Sequence, residues 1–380
     1  MEKINIGVIG CGDVAVIQYI PIIKNSEKLN LAALCDKDEK RLEKVAKFFG
    51  VKNTFNTHEE MLRSGLVEAV ANLTPAAFHY PINLDCIDAR VHTYCEKPIS
   101  SKIKEIDSLI ELSKDNNVKF ACAPATPINP VVVKSKQLLN DGVIGKLCYA
   151  IGFCDHGGPA SQRYIYYYKN LVKQQQLYGF EDLSTDPTWF YKQGGGALED
   201  IGGYTLTTLA FLLGSAKNIQ CLSGMKIPEV EVMGGIACGK KIKVEIDDCT
   251  LMLLAYEEGP FASVSISYGV KGTRMPDLEI YGSEGTISIS DDYTKLEVYL
   301  EKRSGLAAWN KPYEDLSGNE PYENLSGWKL GMGVEHLADC IIENKEPVIN
   351  AKLAKHVTEI IQKARQAALS GEKTLIESKI

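Results

Sequence analysis

No stretch of the sequence approaches the roughly 20 apolar residues that a membrane-crossing helix needs. An excess of positive charge is also missing. Against 49 Asp and Glu stand 42 Lys and Arg, a formal net charge of −7. A general affinity for nucleic acid, which needs a basic surface, is therefore not expected. The 11 cysteines include no C-x-x-C pair. Several lie in apolar runs, such as Cys35 in "LAALCD" and Cys122 in "FACAP", and read as buried reduced thiols of a cytoplasmic protein. Six scattered histidines lack metal-ligand spacing, so no metal site is expected. The opening "MEKINIGVIG" enters a strand pattern at once, without the layout of a signal peptide.

What remains is an ordinary composition, 45% hydrophobic and 24% charged, over 380 residues. That length suits two domains of a soluble protein. The first third alternates strand and helix patterns. "INIGVIG" (4–10) is a short buried strand followed by "GCGDVA", which reads G-x-G-x-x-A through Gly10, Gly12 and Ala15. The first glycine permits a tight turn, the second lets a phosphate approach the backbone, and the small third residue lets helix and strand pack. A helix starting near Val14 would aim free N–H groups at a pyrophosphate. Gly10, Cys11, Gly12, Asp13 and Val14 are thus expected to cradle a dinucleotide. The next strand, "LNLAALCD", ends at Asp36, an acid placed to accept from adenosine ribose hydroxyls. It favours NAD over NADP, while the nearby Lys37 and Arg41 weaken that preference. Further strands end at "LTP" (73–75) and "CEKP" (95–98). Ligands of doubly wound sheets sit at such carboxyl ends. Leu73, Thr74, Pro75, His79, Glu96 and Lys97 join the expected cofactor contacts, with Lys97 on the nicotinamide side.

The second part reads as an amphipathic helix ("NPVVVKSKQLLNDGVIG"), a strand running into a loop at His156, and later a series of strands. Between them lies "GGGALEDIGGYTLTTL" (194–209). On one helix, Asp200 and Tyr204 would share a face as i and i+4, with Leu198, Ile201, Leu209 and Leu212 on another. Two aromatic-rich segments, 163–183 and 312–329, read as substrate lids or oligomer contacts. "AKLAKHVTEIIQKARQAALSG" is an amphipathic helix over 351–370 ending at Gly371.

"GVIGCGDVA", "LTPAAFHYPINLDCIDARVHTYCEKPIS", "LLNDGVIGKL" and "GGGALEDIGGY", in this order, resemble the Gfo/Idh/MocA oxidoreductase family, which includes glucose–fructose oxidoreductase and inositol dehydrogenase. The resemblance implies an α/β fold: an N-terminal Rossmann domain over 1–123, then an α/β domain over 124–380 with an open, mostly antiparallel sheet. It implies NAD as cofactor, a sugar, glycoside or polyol as substrate, and a homo-oligomer formed through that sheet. In this reading Lys97 is the general acid/base, Tyr204 donates to the reacting oxygen, and Asp200 orients the substrate beside His156. Removing a hydroxyl proton during hydride transfer needs such a base, and a lysine serves when burial and a nearby nicotinamide cation lower its pKa. The family usually carries histidine where this chain has Tyr204, and some members carry tyrosine. Three alternatives stay open: a glycosidase or lyase that recycles NAD, an oxidation step paired with a cleaving enzyme, and a non-catalytic sensor.

Overall fold

Short apolar runs make the first sheet: β1 (Ile4–Ile9), β2 (Leu29–Cys35), β3 (Thr54–Phe55), β4 (Ala69–Asn72), β5 (His92–Cys95) and β6 (Phe120–Cys122). All pair in parallel, in the order β3-β2-β1-β4-β5-β6. Every residue of β4 is buried, as expected for a strand with helices over both faces. The strand order reverses between β1 and β4, which opens a crevice at their carboxyl ends. The computed structural model describes residues 3–290, 292–301 and 330–380. The near-repeat at 312–329 lies outside the described residues.

Gly10 shows why the turn after β1 needs glycine. Its φ is +92°, and a Cβ there would stand 2.9 Å from the backbone of Leu73 and Thr74. The following helix begins at Asp13, one residue before the position read from sequence. It widens to a π-helix over Ala15–Tyr19 and continues as an α-helix over Ile20–Asn25. The Gln175 side-chain amide donates to the Ile17 carbonyl at 2.9 Å, inside the widened segment.

The second sheet holds β7 (Leu147–Asp155), β8 (Ala216–Gly224), β11 (Cys249–Tyr256), β12 (Phe261–Ser267), β13 (Leu278–Gly282), β14 (Gly285–Ser290), β15 (Lys295–Leu300) and β16 (Thr374–Leu375). A small hairpin, β9 (Glu229–Glu231) with β10 (Lys241–Lys243), stands apart. The order is β15-β14-β13-β7-β12-β11-β8-β16, antiparallel except for the parallel pair β7–β12. The helices Gly202–Leu213 and Ala351–Ser370 pack on one face. Leu222, Leu251, Leu253 and Phe261 are exposed on the other. Among the described residues no helix is long and apolar enough to cross a membrane.

Two segments that follow residue 124 pack on the first core. From the helix Gln162–Gln174 and its continuation, Tyr168, Val172 and Leu177 join the cluster of Ile6, Val8 and Ile17. From the helix Met332–Ile342 come Val334, Leu337 and Ala338. The strap formed by 162–184 is tied down along its length. Lys44 donates to the Gly179 carbonyl at 2.6 Å and lies over the Phe180 ring at 4.3 Å. Ser184 donates to Asp13 through both its hydroxyl, at 2.6 Å, and its N–H, at 3.2 Å.

Candidate active site

The carboxyl ends of β1, β2, β4 and β5 bring the first-domain candidates onto one edge. Asp36 braces the turn: one carboxylate oxygen accepts from the Cys11 N–H at 2.7 Å and the other from the Asp38 N–H at 2.9 Å. Lys37 lies over the Phe78 ring at 5.2 Å, and Arg41 reaches Asp38 at 3.8 Å. Thr74 donates its hydroxyl to Asn72 at 2.7 Å. His79 is fully buried, with Nδ1 2.7 Å from the Pro98 carbonyl and Nε2 2.6 Å from the Thr74 carbonyl. It therefore joins the two turns that carry Leu73–Pro75 and Glu96–Lys97. Glu96 is bound on one oxygen by the Tyr19 hydroxyl, and on the other by the Lys97 N–H at 2.8 Å. Tyr19 in turn meets Tyr94 at 3.2 Å.

The turn suits a dinucleotide. A Cβ built on Gly12 meets nothing within 4 Å, so the backbone there is open to a phosphate. One Asp13 oxygen, Oδ2, is buried without a hydrogen-bond partner at the same turn.

Across the crevice, Gly196 takes φ +114° and turns the chain into the short helix Ala197–Asp200. The chain breaks at Ile201 and restarts as the helix Gly202–Leu213. Asp200 and Tyr204 therefore stand on two successive helices, not on one face of a single helix. The second helix is buried almost all round, with only Tyr204 and Phe211 partly exposed. Thr205 and Thr207 are buried with the apolar residues because a sheet lies against one side and helices against the others. Thr208 is buried too and donates its hydroxyl to the Tyr204 carbonyl at 3.0 Å.

Lys97 reaches over from the first domain. Its ammonium donates to the Asp200 backbone carbonyl and, at 2.9 Å, to Asp200 Oδ1. It stands 5.1 Å from the centroid of the Tyr204 ring. The Tyr268 hydroxyl donates to Asp200 Oδ2 at 2.7 Å, so both oxygens of this carboxylate are engaged. His156, just beyond β7, stacks on the Tyr268 ring at 5.6 Å. Its Nδ1 accepts from the Gly158 N–H at 2.9 Å. Burial holds the imidazole below its ordinary pKa, so the neutral ring carries its proton on Nε2.

The electrostatics differ from the sequence expectation at Lys97. Burial pulls its pKa down, but Asp200 and Glu96 outweigh burial and hold it above the ordinary value. Burial pushes the Asp200 carboxyl up, while Lys97 and Tyr268 bring it below the usual range. Burial, followed by the charges of Glu96 and Asp200, drives the Tyr204 phenol well above its ordinary value. Tyr268 had no sequence signal beyond being a tyrosine, and Tyr164 was marked only as part of the aromatic-rich segment 163–183. Tyr268 follows the last residue of β12, and Tyr164 comes from the strap helix, 6.3 Å from His156. Away from this site, His58, Glu59 and Asp85 bring ligand-type atoms within 4.8 Å of one another, a proximity that sequence spacing did not show.

Comparison with known proteins agrees with this architecture. Residues 4–123 match the family model described as "Oxidoreductase family, NAD-binding Rossmann fold", and 132–288 match the "GFO/IDH/MocA C-terminal domain". "Oxidoreductase P35" of Formosa agariphila is 33% identical over 149 residues. That alignment covers 39% of this chain and 46% of the relative, so the chain matches about half of that protein's length. The myo-inositol 2-dehydrogenase of Thermotoga maritima is 22% identical over 301 residues, 79% of each chain. A solved levoglucosan dehydrogenase in complex with NADH superposes with a TM-score of 0.80 at 18% identity, covering 99% of this chain and 100% of the other.

Proposed function

The chain belongs to the Gfo/Idh/MocA oxidoreductase family, and on that premise we propose that it is an NAD-dependent dehydrogenase of a sugar, glycoside or polyol CH–OH group. The observation that carries this reading is the meeting of Lys97, at the carboxyl end of a Rossmann strand, with Asp200 of the second domain at 2.9 Å. NAD, when bound, supplies the hydride acceptor. Gly10, Cys11, Gly12, Asp13 and Val14 would hold its pyrophosphate and Asp36 its ribose, with Leu73–Pro75 and Glu96 beyond them.

Within this arrangement Lys97, once its ammonium has given up a proton, takes the substrate hydroxyl proton. A tetrahedral amine whose N–H groups are pinned by the Asp200 carbonyl and Oδ1 directs its remaining position elsewhere, toward a reacting oxygen. Tyr204 stays protonated near neutrality and serves as a hydrogen-bond donor to that oxygen. His156 offers Nε2–H to a second hydroxyl. The names of the relatives, a polyol dehydrogenase and a sugar-derivative dehydrogenase, support the substrate class. The protein works as a homo-oligomer joined through the face of the second sheet that carries Leu222, Leu251, Leu253 and Phe261.

The test is a screen of sugars, glycosides and inositols for NADH absorbance, after a check for cofactor already bound. NADH should appear with at least one of them. Substrate consumed without NADH accumulation would instead support recycling of the cofactor. Lys97→Met should lower turnover by at least about 100-fold while NADH affinity stays within a factor of a few. Full activity in that variant would overturn the assignment.

A further inference from the structure

Tyr268 sits between Asp200 and the rest of the second domain. The residue is 2% exposed, and its hydroxyl has two oxygens in reach: Asp200 Oδ2 at 2.7 Å and the Gly196 carbonyl at 3.3 Å. The ring is held between His156 and Tyr191, each 5.6 Å away. Tyr191 is fixed in turn, accepting from the Ala160 N–H at 2.9 Å. A phenol this confined cannot swing toward a ligand without vacating Asp200.

Asp200 is equally committed. Lys97 occupies Oδ1 and the backbone carbonyl, and Tyr268 occupies Oδ2. The carboxylate thus has a fixed rotation, with Oδ1 turned to Lys97 and Oδ2 to Tyr268. From this geometry we propose that Tyr268 is a positioning residue for the hydride-transfer reaction, which locks the Asp200 carboxylate and takes up part of its charge so that Lys97 can release its proton. The proposal rests on the dehydrogenase reading above. In the oxidative direction neutral Lys97 Nζ would take the substrate O–H proton, and NAD, when bound, would accept the hydride as C–O becomes C=O. Lys97 must first be neutral, and its readiness to become so depends on how strongly Asp200 holds the ammonium.

The groups facing Lys97 come from several elements. Glu96 precedes it in the chain, Asp200 ends the helix Ala197–Asp200, and Cys154 lies on β7. Tyr204 lies on the helix Gly202–Leu213, His79 begins the helix His79–Asp88, and His156 follows β7. Among the described residues, Asp200 is the carboxylate that contacts the amine. A donor on the far oxygen of that carboxylate therefore acts on Lys97 directly. Loss of the donor concentrates the charge on the ammonium and delays its deprotonation.

The experiment is Tyr268→Phe, with NADH affinity and thermal stability measured alongside. Turnover should fall on the order of tenfold or more with little change in KM. The rising limb of the pH profile for alcohol oxidation should move to higher pH. Adding Tyr268→Phe to Asp200→Asn should produce no further movement, because the charge it modulates is gone. An unmoved limb, a move to lower pH, or a change in KM alone would overturn the proposal. A readout without substrate separates it from the broader reading: the pH dependence of Lys97 acylation by an amine-reactive ester, followed by mass spectrometry in wild type and Tyr268→Phe. Acylation should need higher pH in the variant even if no substrate is ever oxidised. Identical acylation profiles would sink the role of Tyr268 while leaving the dehydrogenase reading standing.

Discussion

Lys97 and Asp200 are 17% and 15% exposed, and each keeps its charge because the other is there. The signs of their shifts set a pH window. Asp200 lies below its unfolded value, so its contribution is present above about pH 4 and is lost as pH falls through the folded value. Lys97 lies above its unfolded value, so its contribution is present below about pH 10 and is lost as pH rises through the folded value. Asp200→Asn leaves an uncompensated ammonium and should cost about 3 kcal/mol at neutral pH. Urea unfolding at several pH values should show the gap between wild type and variant closing as pH falls. The two residues were legible because each sits in a stretch with its own pattern, "EKP" at a strand end and "GGGALED" after a loop. Tyr268 was not legible. One tyrosine after a strand carries no spacing signal, and its pairing with Asp200 spans 68 positions of chain.

At the scale of elements, the β1–turn–helix unit and the end of β2 act together. Asp36 accepts from the Cys11 N–H, so the acid that would read the ribose also shapes the turn that would hold the phosphates. Asp36→Ala should weaken NAD binding by about tenfold or more and narrow the preference for NAD over NADP. Titration with both reduced cofactors by fluorescence checks this, and an unchanged ratio would remove Asp36 from the ribose. The alternation of strand and helix over the first sheet was readable because each strand is a short apolar run bounded by turn residues. The break at Ile201 was not. Helical periodicity ran through it, although Gly202 and Gly203 follow the break directly. The strap was visible as a run rich in tyrosine and glutamine, but its destination on the first core was not, since those contacts are long-range.

For the whole molecule, the second sheet is covered on one side only among the described residues. Leu251 pairs with Leu222 across β11 and β8, and Phe261 pairs with Tyr149 across β12 and β7. Tyr149 stacks on Tyr281 at 4.3 Å. Such a row of outward apolar side chains is a candidate contact surface. Replacing both Leu251 and Leu253 with Lys should shift the protein to a smaller species by light scattering, with the fold retained by circular dichroism. An unchanged mass would place the subunit contact elsewhere.

The packing of the helix Met332–Ile342 also bears on synthesis. Cys122 on β6 donates its N–H to the Ile349 carbonyl at 2.7 Å, and Leu330, Val334 and Leu337 join the core of the first sheet, on the side of β5 and β6. All six strands of the first sheet leave the ribosome long before those residues do. The nascent first domain therefore emerges with its sheet complete and part of its core uncovered. It must wait for nearly the whole remaining chain before that apolar surface is closed.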